Sequence, residues 1–217
     1  MPSLNSRICH PQLYCPPQSR LTVSGARIPS RSAVFIDRDG TAVEDVGYLN
    51  NPSQLKLLPR AAEGIRLLQD RFVIVIVTNQ SAVARGLLGE EKLALIHCEL
   101  AAILHSRGTF LDAVYACPHY AGLGDPPYNE RCYCRKPQPG MLLQARDDFG
   151  IRLSSSFMIG DKSSDILAGQ RAGVAATVLV RSHQTEPSLR PDIMPTYAAE
   201  DLYSAARLIL DHQARIS

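Results

Sequence analysis

Short apolar runs alternate with amphipathic segments along most of this chain. The runs at 33–36 and 73–77 are too short for buried helices, and the second, VIVIV, contains only β-branched residues. An uninterrupted run of this kind is typical of a strand that is covered on both faces, as in a parallel sheet. Three further runs of the same length class predict strands at 113–116, 157–159 and 176–180.

Helical periodicity occupies several of the intervals between these runs. Pro59 stands at a favourable first helical position, and Ile65 and Leu68 then fall on one helix face. Residues 90–106 carry apolar side chains in helical register, and a further helix is predicted around 164–171. Because strands alternate with helices, the sequence predicts an α/β fold built on a doubly wound, mostly parallel sheet.

The amino-terminal segment differs in composition from the rest of the chain. It is rich in Pro, Ser and Arg, contains four Arg and no acidic residue, and predicts a disordered extension over 1–31 before one domain over 32–217. The 217-residue chain has a formal charge of +2, but without this segment 19 basic and 21 acidic residues remain. A domain without basic excess is not typical of a nucleic-acid-binding protein.

Hydropathy gives no sign of a membrane or secretory segment. No apolar run approaches the length of a transmembrane helix, and the first 31 residues lack the apolar core of a secretory signal. Their lack of acids resembles an organelle transit peptide, but their prolines disfavour an amphipathic helix. We therefore expect a cytoplasmic protein, whose extension is either a flexible tail or the product of a mis-assigned start codon.

The sequence DRDGT follows the first predicted strand directly, where a parallel sheet opens a crevice at its carboxyl edge. Because side chains repeat every second residue in an extended segment, Asp37 and Asp39 are expected to face one bound phosphate. Gly40 permits a sharp turn immediately afterwards. One carboxylate can attack phosphorus while its neighbour protonates the leaving oxygen and later deprotonates water. The alternative interpretation is a solvated, Asp-rich turn.

A second motif, C-x-H-x12-C-x-C, comprises Cys117, His119, Cys132 and Cys134. Four nitrogen and sulfur ligands suit a closed tetrahedral zinc site, and a catalytic zinc usually keeps an open position, so we interpret the site as structural. The zinc loop, residues 117–134, has no periodicity of its own, and a metal ion would supply the core that it lacks. The alternative is a coincidence of cysteines in a reducing compartment.

Charged residues follow the zinc loop and the fourth strand. Arg135 and Lys136 can clamp a phosphate, although a solvated basic turn would have the same composition. Asp161, at the end of the strand at 157–159, can complete an oxygen-rich Mg²⁺ site with Asp37. Asp165 is either a supporting acid or an ordinary charge at a helix N-terminus.

Polar residues also follow the VIVIV strand. The hydroxyl and amide groups of Thr78, Asn79, Gln80 and Ser81 can bind phosphoryl oxygens, and the same residues would also satisfy a helix N-cap. Arg85 lies just beyond them. Its guanidinium either reaches an anionic substrate or points to solvent.

In their order along the chain, DRDGT, TNQS, RKP and GDKSSD resemble the four motifs of the haloacid dehalogenase phosphatase superfamily. The zinc loop followed by RKP is similar to that of the D-glycero-D-manno-heptose 1,7-bisphosphate 7-phosphatase family. DVGYLN, TNQSAVARG and KPQPGML extend the likeness, which covers residues 32–182. Ala82 departs from the residue that the family commonly has at that position, but this change removes no catalytic group.

The resemblance implies a phosphatase without a large cap domain, which removes the C7 phosphate of a heptose 1,7-bisphosphate through an aspartyl phosphate and gives heptose 1-phosphate. Asp37 would be the nucleophile and Asp39 the general acid and base. Asp37, the backbone carbonyl of Asp39 and Asp161 would hold Mg²⁺, while Thr78 and Lys136 would stabilise the phosphoryl group. The substrate contacts that it implies are Asp45, Val46, Gly47, Tyr48, Asn79, Gln80, Ser81, Arg85, Arg135 and Lys162.

The same resemblance implies Mg²⁺ and Zn²⁺ as cofactors of a monomer that acts on a small sugar bisphosphate, with no nucleic-acid or membrane partner. Three other functions stay open. One is a related histidinol-phosphate phosphatase, whose zinc loop is typically shorter, and another is a polynucleotide 5'-phosphatase, which the slightly acidic domain disfavours. The third is a non-catalytic, zinc-stabilised module that binds sugar phosphates. The spacing of the motifs does not distinguish the anomers at C1.

Overall fold

The computed structural model describes residues 12–14, 31–181 and 193–216. Within these ranges seven strands form one sheet in the order β1-β4-β3-β2-β5-β6-β7, and every neighbouring pair except β1–β4 is parallel. The strands are β1 (Gln12–Tyr14), β2 (Ala33–Ile36), β3 (Val73–Asn79), β4 (Ala113–Cys117), β5 (Phe157–Gly160), β6 (Ala176–Val180) and β7 (Tyr197–Ala199).

Helices cover both faces of the sheet, with α1, α3 and α6 packed on one face and α4 and α5 on the other. The helices are α1 (Ala61–Leu68), α2 (Ser81–Ala84), α3 (Glu90–Ser106), α4 (Gly140–Phe149), α5 (Ser163–Ala172) and α6 (Leu202–Ile216), and single 3₁₀ turns span Pro52–Gln54 and Leu153–Ser155. Helices α1 and α6 meet closely at Gly64, where an added Cβ would lie 2.8 Å from the carbonyl oxygen of Leu202.

The central strand β2 divides its side chains between two cores. Val34 and Ile36 belong to the core under α1, α3 and α6, whereas Ala33 and Phe35 belong to the core on the α4 side. The VIVIV residues of β3 are buried throughout, which confirms that this strand is covered on both faces. The predicted α/β fold with a mostly parallel sheet is therefore confirmed.

Most of the predicted element boundaries agree with the structure to within one or two residues. The helix at 90–106 and the strand at 176–180 have the predicted bounds. The helix predicted to open at Pro59 begins instead at Ala61, after Arg60 in a left-handed conformation at φ +60°. Helices α4 and α6 and strands β1 and β7 were not among the predicted elements.

Strand β1 lies inside the segment that the sequence predicts to be a disordered extension, and at Gln12–Tyr14 that prediction differs from the structure. These residues pair antiparallel with β4, Leu13 opposite Tyr115, and Tyr14 packs against the core. A three-residue edge strand is held mainly by backbone hydrogen bonds, which leave little pattern in the sequence. The remaining residues of the predicted extension, apart from Arg31, lie outside the described residues.

In the described part of the chain, the segments after β2 and β4 form loops, and neither builds a large cap domain. The loop after β2 turns back on itself, with the amide of Gly40 donating to the carbonyl of Val43 at 2.8 Å. None of the helices in these ranges combines the length and the apolar character needed to cross a membrane.

Candidate active site and metal centres

The carboxyl ends of three neighbouring strands bring the predicted acids together. Strand β2 lies between β3 and β5 in parallel register, so Asp37, Thr78 and Asp161 leave the sheet at the same edge. The amide of Asp37 donates to the carbonyl of Ile159 at 2.9 Å and extends the pairing to the first acid. Gly40, at φ +87°, lets the loop pass Asp161, because an added Cβ would lie 2.4 Å from Asp161 Oδ2.

Lys136 is the cation at the centre of this edge and is only 4% exposed. Its Nζ contacts Asp37 Oδ1, lies 2.6 Å from Asp165 Oδ1 and donates to the carbonyl of Val77 at 2.7 Å. Burial lowers the pKa of this lysine, but the charges of Asp165 and Asp37 more than offset that effect and raise the pKa above its ordinary value. Lys136 is therefore a buried cation beside the candidate nucleophile.

Three buried acids crowd around Lys136. Carboxylate oxygens of Asp37, Asp161 and Asp165 lie within 4.8 Å of one another. Burial raises the pKa of Asp37 to about 8, with Lys136 opposing and the other two acids adding to the shift, and burial likewise raises the pKa of Asp161 to about 6. Neither buried oxygen of Asp161 has a hydrogen-bond partner. An oxygen-only cluster with excess negative charge and unsatisfied acceptors fits a hard cation such as Mg²⁺.

Asp39 is held by donors from two different strand ends. The sequence predicts that Asp37 and Asp39 point the same way because it assumes an extended segment. The chain instead turns after Asp37, so that assumption does not hold for Asp39. Arg38 donates to both carboxylate oxygens of Asp39 at 3.0 Å through Nε and Nη2, and Gln80 Nε2 donates to Oδ2 at 2.9 Å. Burial raises the pKa of Asp39, but the Arg38 guanidinium and the Gln80 amide outweigh burial and lower it below its ordinary value.

The residues of TNQS take different positions. Thr78 Oγ1 lies 3.4 Å from Asp39 Oδ2 and accepts from Gln80 Nε2 at 2.7 Å, so both side chains belong to the site. Asn79 instead binds the backbone of Lys136, donating to its carbonyl and accepting from its amide at 3.0 Å each. This side chain fixes the loop that carries the lysine. Ser81 is the half-buried first residue of α2.

The segment after DRDGT forms a rim above the acids. Asp45 accepts from the amide of Gly47 at 2.9 Å through Oδ1 and from Lys162 Nζ at 3.2 Å through Oδ2. Burial lowers the pKa of Lys162, but the charge of Asp161 and other nearby acids raises it above the ordinary range. The side chains of Val46 and Tyr48 are exposed at this rim.

Two arginines stack on tyrosines beyond the acids. The Cζ atom of Arg85 lies 5.5 Å from the ring centre of Tyr48 and 5.2 Å from that of Tyr120, and Arg135 Cζ lies 4.8 Å from the Tyr120 ring. Arg135 also donates to the carbonyl of His119 at 3.0 Å, which ties it to the zinc loop. Cation–π contacts restrict the guanidinium groups and leave their N–H donors available to an anion.

The four predicted zinc ligands form one cluster. Cys132 Sγ lies 3.4 Å from the sulfurs of Cys117 and Cys134, and His119 Nδ1 lies 3.8 Å and 3.6 Å from the same two sulfurs. Ligands about 2.3 Å from a tetrahedral zinc ion would be about 3.8 Å apart, so the cluster fits that ion. Hydrogen bonds with the neighbouring thiols lower the pKa of Cys132 to about 2, while the bond with Cys132 raises that of Cys117 to about 12. A metal ion would relieve this competition for one negative charge.

The zinc loop is docked against the rest of the site at two points. Gly124, at φ +79°, packs on the end of α2 so closely that an added Cβ would lie 1.7 Å from the carbonyl oxygen of Ala84. Tyr128 donates to Glu90 Oε1 at 2.5 Å and so connects the loop to the start of α3. Because Ala84 precedes Arg85, the first of these contacts links the position of the loop to that of the arginine.

Two residues of the site were missed in the sequence. Arg38 lies inside DRDGT but received no role, and His97 lies on the buried face of α3, where its Nε2 is 3.4 Å from Arg38 Nη1. The available signal was electrostatic, because an arginine next to a buried strand end needs acceptors on every side. The position of His97 among the apolar residues of a helix gave no separate sign of this contact.

Comparisons with known proteins agree with this geometry. A sequence family described as HAD-hydrolase-like matches residues 133–205. In solved structures, the chain is similar to a protein from Mesorhizobium loti that is described as a putative HAD-like phosphatase, at 29% identity and a TM-score of 0.75, over 93% of this chain and 98% of that one. It is also similar to the D,D-heptose 1,7-bisphosphate phosphatase of B. bronchiseptica, complexed with magnesium and phosphate, at 30% identity and a TM-score of 0.70, over 83% and 99%.

Curated relatives narrow the family further. The D-glycero-beta-D-manno-heptose-1,7-bisphosphate 7-phosphatase of Vibrio cholerae is 39% identical over 154 residues, which cover 70% of this chain and 83% of that protein. The corresponding alpha-anomer phosphatase of Photorhabdus laumondii is 34% identical over 177 residues, covering 81% and 94%. Together with the strand-end acids and the Cys/His cluster, this identity shows that the chain belongs to the D-glycero-D-manno-heptose-1,7-bisphosphate 7-phosphatase family of HAD-like hydrolases.

Proposed function

We propose that the protein hydrolyses the C7 phosphate of D-glycero-D-manno-heptose 1,7-bisphosphate and releases heptose 1-phosphate. The observation that carries this proposal is the presence of two clusters of cationic side chains, each of which could hold an anion. One is the buried edge with Asp37 and Lys136, and the other is the pair formed by the exposed Arg85 and the half-buried Arg135, both of which stack on Tyr120. A substrate with two phosphates and one sugar between them matches such an arrangement.

In the proposed reaction Asp37 attacks phosphorus, the bond to the sugar oxygen breaks, and an aspartyl phosphate forms. Asp39, which Arg38 and Gln80 favour as a carboxylate, would take up a proton as the substrate enters, give it to the departing oxygen, and later take one from the water that releases phosphate and restores Asp37. Lys136 contacts Asp37 and would neutralise charge on the transferring group. Thr78 and Gln80, which already donate around Asp39, hold that carboxylate at the strand end.

We expect Asp37, Asp161 and the backbone carbonyl of Asp39 to hold Mg²⁺. The fit is supported by the crowded acids and by the two oxygens of Asp161, which accept no hydrogen bond and whose nearest cation, Lys162 Nζ, lies 3.9 Å from Oδ2. Asp165 is engaged by Lys136 and by the amide of Lys162, at 3.0 Å, and therefore supports the lysine. When bound, the ion would keep the acids ionised and neutralise charge on the phosphoryl oxygens.

We expect Zn²⁺ to stabilise the zinc loop without taking part in the reaction. Four protein ligands would fill its tetrahedral coordination, so no position stays open for substrate. Through Arg135, which donates to the carbonyl of His119, the metal would also stiffen one wall of the substrate pocket.

The second phosphate, at C1, would bind the two arginines. Arg85 and Arg135 are oriented by Tyr48 and Tyr120, and both offer fork-shaped donors that match phosphate. The exposed rim residues Val46 and Tyr48 would contact the sugar between the two phosphates. We further expect the protein to act as a monomer, without a nucleic-acid partner.

Phosphate release by the purified protein with Mg²⁺ tests this proposal. Both anomers of heptose 1,7-bisphosphate would be compared with histidinol phosphate at equal concentrations. We expect one phosphate per heptose bisphosphate, with heptose 1-phosphate as the product, and the better anomer identifies the pathway. Preference for histidinol phosphate would assign the other substrate, and release from none of the three would favour a binding module. An Asp37→Asn protein with full activity would refute the mechanism.

A further inference from the structure

We propose that Arg38 and His97 are positioning residues that hold Asp39 in the orientation needed to protonate the leaving sugar oxygen. This inference rests on the proposed role of Asp39 as the general acid. It assigns a role to two residues that are not among the expected metal ligands, Asp37, Asp161 and the backbone carbonyl of Asp39. The contacts run in one line, from His97 on α3 through the guanidinium of Arg38 to the carboxylate of Asp39.

The guanidinium of Arg38 is fixed at both ends. Arg38 is 1% exposed, and its Nε and Nη2 donate to the two oxygens of Asp39 at 3.0 Å each, which is the bidentate geometry that a planar fork favours. The remaining nitrogen, Nη1, lies 3.4 Å from His97 Nε2. A rotation of the guanidinium would break both ends at once, so the histidine contact also restrains the carboxylate.

His97 is suited to accept this hydrogen bond. It is 3% exposed and lies on the buried face of α3 with Leu93 and Leu100. Burial, together with the adjacent charge of Arg38, lowers the pKa of His97 to about 3. The ring is therefore neutral at physiological pH, and a neutral imidazole with its proton on Nδ1 offers the Nε2 lone pair to Arg38.

The ring of His97 is itself packed from a second direction. Tyr14 of β1 lies against it, with the two ring centres 6.2 Å apart and the planes inclined by 41°. The contacts that orient Asp39 thus extend from the active site to the amino-terminal strand.

The nucleophile depends on a different set of contacts. Asp37 is held by Lys136 and by the carbonyl of Ile159, and neither group touches Arg38 or His97 in the contacts described above. Loss of the histidine should therefore weaken proton donation while leaving phosphoryl attack intact. That difference is measurable, because a sugar alkoxide needs a proton to leave, whereas p-nitrophenolate leaves without one.

The test measures kcat/KM for heptose 1,7-bisphosphate and for p-nitrophenyl phosphate. The constant kcat/KM is chosen because it reports the steps up to departure of the leaving group. His97→Leu removes the acceptor at similar volume, and we expect a loss of about tenfold or more on the sugar phosphate but less than about threefold on the aryl phosphate. His97→Gln places an amide oxygen near the position of Nε2 and should restore most of the loss. His105→Gln, an exposed change on the same helix, is the matched control.

Equal losses on both substrates, or no loss on either, would overturn the inference. Asp39→Asn is assayed in parallel to separate a failure of the positioning role of His97 from a failure of the general-acid role of Asp39. If it shows the leaving-group dependence and His97→Leu does not, the positioning role alone fails. If Asp39→Asn shows none, the proposed role of Asp39 fails as well. Should His97→Leu not fold, Arg38→Lys keeps the charge but loses the fork, and the same dependence is expected of it.

Discussion

Lys136 and Asp165 form an ion pair at 2.6 Å in which both side chains are almost completely buried. The pair joins two distant parts of the chain, the turn after the zinc loop and the first turn of α5. The same lysine contacts Asp37, so one cation is shared between the candidate nucleophile and a supporting acid. A buried charge that depends on two partners makes the arrangement of the site part of the stability of the fold.

Asp165→Ala should therefore destabilise the protein strongly. The change leaves Lys136 with one carboxylate and also removes the acceptor for the amide of Lys162 at the start of α5. We expect the free energy of unfolding to fall by about 3 to 5 kcal/mol, the range for a broken buried pair. Asp147→Ala breaks an exposed pair with Arg146 and should cost less than about 1 kcal/mol. Denaturant unfolding measures both, and equal losses would contradict the prediction.

The sequence predicted the acids of the site because topology determines where they lie. Parallel strands with continuous apolar runs must end at one edge, so Asp37 and Asp161 meet whatever the loops do. The contact of Arg38 with His97 is different in kind, since it joins residues 59 positions apart through the detailed path of a turn. The binding of Asn79 to the backbone of Lys136 likewise depends on the conformation of a loop, which periodicity does not encode.

Arg85→Ala should weaken binding of the C1 phosphate. Because Arg85 is exposed, solvent screens its charge, and we expect KM for heptose 1,7-bisphosphate to rise about three- to tenfold. The KM for heptose 7-phosphate, which lacks the C1 phosphate, should stay unchanged. Arg66→Ala, an exposed change on α1, serves as the control. A rise of equal size for both substrates would place Arg85 at the sugar or at the reacting phosphate instead.

Gly124→Ala should displace the zinc loop from α2. An added Cβ would lie 1.7 Å from the carbonyl oxygen of Ala84, so the loop must move away from α2. We expect this movement to separate the ring of Tyr120 from Arg85. We expect a severalfold rise in KM for the bisphosphate. Gly122→Ala is the matched control, because Gly122 has nearly the same φ, +80° against +79°, but no atom within 4 Å of the added Cβ. Steady-state kinetics measure KM for both variants. An equal rise in KM would mean that backbone strain at a positive φ, and not the clash with Ala84, causes the effect.

Cys132→Ser should release the zinc ion that we expect in the loop. One hard hydroxyl replaces a thiolate, and the remaining three ligands bind zinc more weakly. We expect the purified variant to contain less than one zinc per chain, and the backbone amides of the zinc loop to exchange hydrogen faster than in the wild type. Cys98→Ser, at an exposed cysteine on α3, should change neither property. Full zinc content in Cys132→Ser would remove this residue from the ligand set.

The buried His97 should lower the free energy of unfolding as the pH decreases. Burial lowers its pKa from 6.5 to about 3, so the unfolded chain binds a proton below pH 6.5 that the folded chain refuses until about pH 3. The unfolding free energy therefore falls as pH decreases through this window, by up to about 1.4 kcal/mol per pH unit. His97→Gln removes that proton, so between pH 5 and 6 its unfolding free energy should fall less steeply than that of the wild type. Denaturant unfolding at several pH values measures both slopes, with His105→Gln as the control. Parallel slopes for wild type and His97→Gln would mean that the histidine has the same pKa in the folded and the unfolded chain. It would then be protonated in the folded protein between pH 5 and 6 and unable to accept the hydrogen bond from Arg38 there.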